Sequence, residues 1–266
     1  MKRIYLTDKK VLAYFEQTAN SNYWDRHWNI YDFKSIITSF KSDGIFVPLV
    51  KQKLPKGSKI LEGGCGLGQM VYALKYQGFN PIGVDFAPSI VKKVNKGFPE
   101  LDIRLADVRE LPFKDDEFDG YISVGVIEHL WMGYEEIISE MKRVLKPHGL
   151  LFISFPYMSP IRKLKAKLKM IDHVNSNDLK NIEGKFYQFA LRKKSVLTDL
   201  TQGGFSLEHS TTYAGLKGFK DEFGLFKLFL QPIYDAENLG YAKTFFNLLF
   251  KSFASHCSLM VLRNNK

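Results

Sequence analysis

The chain has 266 residues, 45% of them hydrophobic and 25% charged. That size and balance describe a folded globular protein and exclude a disordered, collagen-like or disulfide-stapled chain. The net charge of +10 is unevenly spread: residues 1–56 contribute +5, 57–156 contribute −3, 157–200 contribute +6 and 201–266 contribute +2. A basic excess outside an acidic centre suits acidic substrates, anionic membrane surfaces or RNA, or a merely solvated surface. No aromatic–basic recognition motif accompanies it, so nucleic acid is not an expected partner.

Residues 1–56 read as a helical segment, with two amphipathic helices over 9–55 around the aromatic cluster "NYWDRHWNIYDF". Within it Tyr23, Trp24, Trp28 and Tyr31 form no single helical stripe, so rings can face a cavity as well as anchor the segment. From residue 57 the pattern changes. Apolar runs at 58–64, 80–86, 101–108, 118–127 and 149–157 alternate with helical patterns at 68–77, 87–97 and 133–145. In the last helix Ile137, Ile138, Met141, Val144 and Leu145 make the buried stripe. Strands alternating with helices argue for an α/β fold, a parallel sheet wound on both faces.

The remainder is less regular. Residues 158–200 open with the basic segment "SPIRKLKAKLKMI", which places Ile161, Leu164, Leu168 and Ile171 on one helical face. Residues 205–213 and 255–264 read as strands, and 214–252 as irregular Phe- and Leu-rich helix. Lysines interrupt every apolar stretch before the roughly 20 residues that span a bilayer. Interfacial helices over 158–171 or 223–250 remain compatible with the pattern. The two cysteines, Cys65 and Cys257, match no zinc or redox spacing. "MKRIYLTDKK" shows no signal peptide, so a cytoplasmic protein is expected, with peripheral membrane contact as an open variant.

The densest chemistry lies in "LEGGCGLG", where Glu62, Gly64, Gly66 and Gly68 alternate with other residues between a strand and a helix. Glycine there lets a ligand approach bare backbone at a helix N-terminus. Dinucleotide sites space their glycines Gly-x-Gly-x-x-Gly. Here the last interval is one residue shorter and an acid precedes the loop. The acid suits a ligand with a positive centre rather than a pyrophosphate. Asp85 closes the second strand, where a carboxylate can accept both hydroxyls of a ribose. Asp107 closes the third and can accept from an exocyclic amine, with Val108 as an apolar contact. Each acid alone reads equally as a turn or helix cap.

Together, "ILEGGCGLGQ", "GVDFAPSIV", "LADVRELPFKDDEFDGYISVGVIEHL" and "EMKRVLKPHGLLFISFP" resemble the successive motifs of class I S-adenosylmethionine-dependent methyltransferases over residues 58–157. The resemblance implies a seven-stranded, mostly parallel sheet with one antiparallel strand, in the order 3-2-1-4-5-7-6. It implies helices on both faces and an N-terminal helical lid. One domain over 1–266 would then comprise the lid (1–56), a cofactor-binding core (57–157) and substrate-side insertions (158–200 and 214–252). S-adenosyl-L-methionine is the implied cofactor. Glu62 would order the loop near its amino-acid end, and Gly64, Gly66 and Gly68 would let that end lie on the backbone. Asp85 would take the ribose hydroxyls with Phe86 beside the adenine. Asp107 and Val108 would bind the adenine, and Val124 would line the site. Tyr23 or Arg26 of the lid would meet the methionine carboxylate.

The implied reaction is in-line methyl transfer, for which holding two reactants in line supplies much of the acceleration. His129, in "VIEHLW", is the candidate general base; the competing reading is that Glu128 and His129 brace the following helix. His27 and His173 read as surface or packing histidines. The expected acceptor is a small molecule or an amphiphilic, lipid-linked one. An RNA or protein methyltransferase is the alternative, although no Asn-Pro-Pro-Tyr type motif follows the fourth strand. A nicotinamide oxidoreductase and a catalytically silent binding module complete the set; oligomeric state is not legible.

Overall fold

A computed structural model describes residues 1–29, 37, 44–179, 185–236 and 239–266. The chain opens with an antiparallel hairpin, β1 (Lys2–Leu6) and β2 (Val11–Phe15), in which Ile4 faces Ala13. All five residues of "VLAYF" in β2 are buried, which a short β-branched and aromatic run achieves as a strand and an amphipathic helix does not. The hairpin therefore replaces the start of the helical segment expected over residues 1–56. The first helix is α1 (Ser21–Asn29), where Asn20 Oδ1 accepts the Tyr23 N–H at 2.9 Å as an N-cap, and a further helix, α2, spans Phe46–Lys53.

The chain divides into two compact units: Met1–Thr18, Ser154–Thr198 and His209–Met260 in one, and Ala19–Ile153, Asp199–Glu208 and Val261–Lys266 in the other. From residue 59 strand and helix alternate: β3 (Lys59–Gly63), α3 (Gln69–Tyr76), β4 (Asn80–Asp85), α4 (Pro88–Gly97), β5 (Asp102–Leu105), β6 (Phe118–Val124), α5 (Glu135–Val144) and β7 (Leu145–Pro156), all in the second unit but the last three residues of β7. β3 pairs in parallel with β4 and β6, and β4 with β5. Leu67, Val71, Ile90, Val94 and Ile103 form one buried cluster between α3, α4 and the sheet. The expected stripe of α5 is buried at all five positions.

The remaining elements are α6 (Pro160–Lys167), β8 (Asp172–Val174), β9 (Phe186–Ala190), α7 (Lys193–Gln202), β10 (Phe205–Tyr213), α8 (Gly215–Glu222), α9 (Gly224–Asp235), α10 (Gly240–Ala254) and β11 (Cys257–Asn264). The larger sheet runs β10-β11-β7-β6-β3-β4-β5 and is mostly parallel with an antiparallel region. Counted along its own seven strands, that is the expected order 3-2-1-4-5-7-6. The first unit carries its own four-stranded sheet, β8-β1-β2-β9, which the sequence pattern did not announce.

α6 matches its expected polarity only in part: Ile161 packs against a buried cluster and Ile171, just past the helix, is buried. Arg162 and Lys165 are buried, whereas Leu164 and Leu168 are exposed. The cause is Glu222, at the end of α8, whose side chain is almost fully enclosed. It accepts from Arg162 Nε at 2.9 Å and Arg3 Nη1 at 3.0 Å, with Lys165 Nζ at 3.4 Å. Arg162 also donates to the carbonyl of Tyr157 at 2.8 Å. The three cations hold the Glu222 carboxyl below its ordinary range, against the burial that raises it. Removing one member of such a cluster leaves buried charge uncompensated. Glu222→Leu is expected to lower the free energy of unfolding by about 3 kcal/mol. Adding Arg162→Met should restore part of it in a double-mutant cycle read by urea denaturation. A loss indistinguishable from that of an exposed substitution would contradict this account.

Candidate active site

The site is built at the C-terminal end of β3. The following loop turns through left-handed conformations at Gly64 (φ 75°), Gly66 (φ 51°) and Gly68 (φ 74°), the last capping α3. The N–H groups of Gly64 and Cys65 both donate to the carbonyl of Val84 on β4, at 2.8 and 2.9 Å. Gly66 has a second constraint besides φ: a Cβ there would lie 3.0 Å from the indole of Trp28.

Asp85, buried at the end of β4, holds this loop. Its Oδ2 accepts the Gly66 N–H at 2.8 Å and its Oδ1 accepts the Ala87 N–H at 3.0 Å. Burial pushes its pKa up, against those amide hydrogen bonds, and the charge of Asp25 adds to the rise. Asp25 Oδ1, on α1, is itself buried and has no hydrogen-bond partner among the described residues. Glu62 is buried below the loop. Burial, with the charges of Glu62 and Asp85, pushes the Cys65 thiol well up, so this cysteine behaves as a small packing group.

A cavity of about 280 Å³ opens beside the loop. Gly64 and Gly66 line it from the loop, Asp85 and Phe86 from β4, and Val124 from β6. Asp107, Val108 and His129 also reach it. Eight of the twelve residues expected from sequence thus share one wall. Glu62 and Gly68 lie off the wall, and so do Tyr23 and Arg26. The Tyr23 ring stacks on His27 at 5.7 Å, and Arg26 Nε donates to the Asn22 carbonyl at 3.2 Å. In their place α1 presents Trp24 and Trp28, four residues apart, with ring centroids 6.2 Å apart. Their i, i+4 spacing was available in the sequence. Burial pulls the His27 pKa down. His173 packs instead in the other unit, its Nε2 2.8 Å from the Ala166 carbonyl. Tyr31 lies outside the described residues.

Of two further neighbours, Arg109 was not anticipated and Glu128 was expected only to brace the following helix beside His129. Arg109 grips Asp107 through Nε and Nη2, at 3.0 and 2.6 Å, and this guanidinium holds the Asp107 carboxyl below its usual range. Glu128, in the short 3₁₀ turn Ile127–His129, is only 2% exposed, and its Oε2 has no hydrogen-bond partner among the described residues. Burial pushes its pKa up to about 8. His129 sits edge-on to Trp24 at 5.2 Å. A second hollow of about 530 Å³ shares Arg109, His129 and Leu130 and extends over Trp131 and Tyr134. No group of three or more His, Cys, Asp or Glu able to hold a metal occurs among the described residues.

Glu128 gives a pH dependence with a definite sign. Between the ordinary glutamate value of 4.5 and about 8 the folded state holds a proton that the unfolded state has released. Stability therefore falls as pH rises through that window, by about 1.4 kcal/mol per pH unit at most, and is independent of this group above it. Glu128→Gln, which keeps the shape and never ionises, should flatten the decline in urea denaturation between those limits. An unchanged pH slope would contradict the buried, protonated state.

Comparison with known proteins supports the same segment. A family profile described as a methyltransferase domain matches residues 61–153. A "Probable S-adenosylmethionine-dependent methyltransferase" of Mycolicibacterium smegmatis is 36% identical over 100 residues, 38% of this chain and 38% of that protein. A tRNA (carboxymethyluridine(34)-5-O)-methyltransferase of Arabidopsis thaliana is 36% identical over 110 residues, 39% of this chain and 25% of that one. Demethylmenaquinone methyltransferase of Staphylococcus carnosus is 32% identical over 129 residues, 45% and 53% of the two chains. The chain thus spans a quarter to about half the length of these relatives. Among solved structures, the PH0226 protein of Pyrococcus horikoshii superposes with a TM-score of 0.56 at 19% identity, covering 90% of this chain and 98% of that one, a likeness of fold. Because one relative is named for tRNA, the expectation that nucleic acid is not a partner finds no support here. The residues that build the loop and the strand-end acids thus lie in a segment, 61–153, that matches a methyltransferase-domain profile and is similar to S-adenosylmethionine-dependent methyltransferases.

Proposed function

We propose that the chain is an S-adenosylmethionine-dependent methyltransferase acting on a small-molecule or lipid-linked acceptor. The observation that carries the cofactor reading is the buried Asp85 carboxylate beside backbone bared at Gly66. The surrounding donor set fits that cofactor. Glu62, Asp85 and Asp25 gather acidic charge around the loop, and Asp25 Oδ1 has no hydrogen-bond donor among the described residues. Arg109, the cation on the wall, is already engaged by Asp107. Such a site suits a ligand bearing an ammonium, a positive sulfur and hydroxyl donors; a pyrophosphate would meet like charge.

When bound, the cofactor supplies a methyl group activated by its sulfonium. The chain's own residues have the remaining tasks. Asp85 would hold the ribose hydroxyls with the acceptor capacity its two amide bonds leave over. Asp107, Val108 and Phe86 would border the adenine, with Asp107 kept ionised by Arg109. Glu62 would order the loop through the glycines, and Val124 would close the floor. Trp24 and Trp28 would cover the site and exclude water. His129, at the junction of the two hollows, would receive a proton from an oxygen or nitrogen acceptor. Tyr23 and Arg26 take no part in this arrangement.

The acceptor is argued from outside the family core. Relatives named for tRNA and for demethylmenaquinone match largely through the same segment, so the match favours neither. The amphiphilic reading rests on the basic, apolar-faced helices of the other unit, which suit a substrate presented at a lipid surface. No helix among the described residues is long and apolar enough to cross a membrane, which limits such contact to the surface for those elements.

Calorimetry of S-adenosylmethionine, its demethylated product and NAD against the whole chain tests the cofactor reading. The first two are expected to bind and NAD is not; binding of NAD alone would overturn it. Asp85→Ala should weaken S-adenosylmethionine by about tenfold or more, the loss of charge-assisted hydrogen bonds. An unchanged affinity would show that the ribose lies elsewhere.

A further inference from the structure

The helices of the first unit have two apolar faces where a soluble helix has one. Their inner faces form a closed cluster in which Leu216, Leu230, Phe250 and Ala254 are buried and Phe219, Ile233, Phe246 and Phe253 pack against them. The Phe219 and Phe250 rings stack with centroids 4.0 Å apart. The core of these helices is therefore complete without the outer residues. Yet α9 directs a second stripe outward at Leu225, Leu228 and Phe229, spaced i, i+3 and i+4 and exposed by 77, 79 and 72%. α10 does the same at Tyr241, Phe245, Leu248 and Leu249, spaced i, i+4, i+7 and i+8, with Tyr241 97% exposed. On α6 and the turn after it Leu164, Leu168 and Met170 are exposed because the Glu222 cluster has turned the basic face inward. These residues make up more than half of the exposed large hydrophobic side chains among the described residues. A solvated monomer scatters such residues singly; a patterned set on adjoining helices marks a contact surface.

Charge indicates what covers it. Residues 160–170 and 224–254 together carry eight Lys/Arg and two Asp/Glu. Lys163, Lys167, Lys169, Lys227 and Lys251 are exposed, and none of them is in an ion pair among the described residues. The acids of α8 are spent internally: Asp221 pairs with Lys217 and Lys220, and Glu222 is buried. Asp235, on α9, accepts from Gln231 at 2.9 Å. A second copy docking through this face in a two-fold manner would set these lysines against their own kind. An anionic bilayer surface offers an apolar layer for the leucines and phenylalanines, with negative headgroups at the height lysines reach.

We propose that the outer face of α6, α9 and α10 docks on an anionic phospholipid surface, the three helices lying in the interface with Leu228, Phe229, Tyr241 and Leu248 inserted and the lysines at headgroup level. This binding is a property of the first unit's surface and does not depend on the acceptor assignment.

The test is co-sedimentation of the full chain with vesicles of phosphatidylcholine alone and of phosphatidylcholine mixed with phosphatidylglycerol. Partition is expected to be about tenfold or more stronger on the anionic vesicles at low salt and to weaken as salt screens the lysines. Leu228→Ser combined with Leu248→Ser should lower it by about tenfold, and Lys167→Glu with Lys169→Glu should remove most of the preference for phosphatidylglycerol. All four side chains lie outside the buried cluster, so far-ultraviolet circular dichroism and S-adenosylmethionine calorimetry should match the parent for both variants. Absence of binding to either vesicle overturns the proposal, as does binding that neither variant pair changes. Self-association in sedimentation velocity that is lost in the Leu228→Ser, Leu248→Ser variant, without vesicle binding, overturns it in favour of a contact between copies. Loss of cofactor binding alongside intact vesicle binding would count against the methyltransferase reading and leave the docking face standing.

Discussion

The site turns on one buried carboxylate. Asp85 accepts the amides of Gly66 and Ala87, so a single side chain fixes the glycine loop after β3 to the start of α4 after β4. Those amide bonds lower its pKa while burial raises it, and burial prevails. The charged form is thus held away from water at a cost that further hydrogen-bond donors would relieve. Asp25 sharpens the point, since it places a second carboxyl within electrostatic reach, one oxygen of which has no donor among the described residues. A cavity lined by a buried carboxylate with acceptor capacity to spare is arranged to receive a ligand that brings donors and positive charge with it.

The rest of the wall follows from how α/β strands end. β3, β4, β5 and β6 run in the same direction, so the residues just past their C-terminal ends come to one edge of the sheet. That is why Gly64, Asp85, Asp107 and Val124, spread over sixty positions of sequence, line one cavity. The same rule explains what was legible beforehand. Apolar runs covered on both faces, each closed by glycine or an acid, announce parallel strands, and a strand-end acid has one edge to occupy. The shortened glycine spacing behind Glu62 narrowed the ligand class further.

What was not legible has equally specific causes. "VLAYF" in β2 is too short for periodicity to separate a strand from buried helix, and its partners in β9 lie some 175 residues away. The polarity of α6 could not be read because its arbiter, Glu222, is remote in sequence. Local spacing placed Leu164 and Leu168 inside, and a buried ion cluster placed them outside. On α1 the aromatic cluster was visible but not its working face. Polar chemistry favoured Tyr23 and Arg26, whereas the helix turns Trp24 and Trp28 to the cavity and uses Arg26 locally. Glu128 was read only as a brace beside His129, because nothing local reveals that an acid in such a pair is buried.

The exposed leucines of α6 and the buried ion cluster are two sides of one physical choice. Enclosing Arg162 and Lys165 costs desolvation that a leucine in the same place would not incur, and Glu222 with its hydrogen bonds offsets that cost without making the cluster better than an apolar core. The arrangement becomes intelligible if the leucines are needed outside: α9 and α10, whose inner faces are already satisfied by the Phe219–Phe250 stack and its neighbours, also keep leucine, phenylalanine and tyrosine in solvent. Three helices that leave apolar surface in solvent are the ground for proposing a contact surface there. With lysines as the charges between those stripes, an anionic lipid surface recovers the hydrophobic free energy left unused and the electrostatic attraction together.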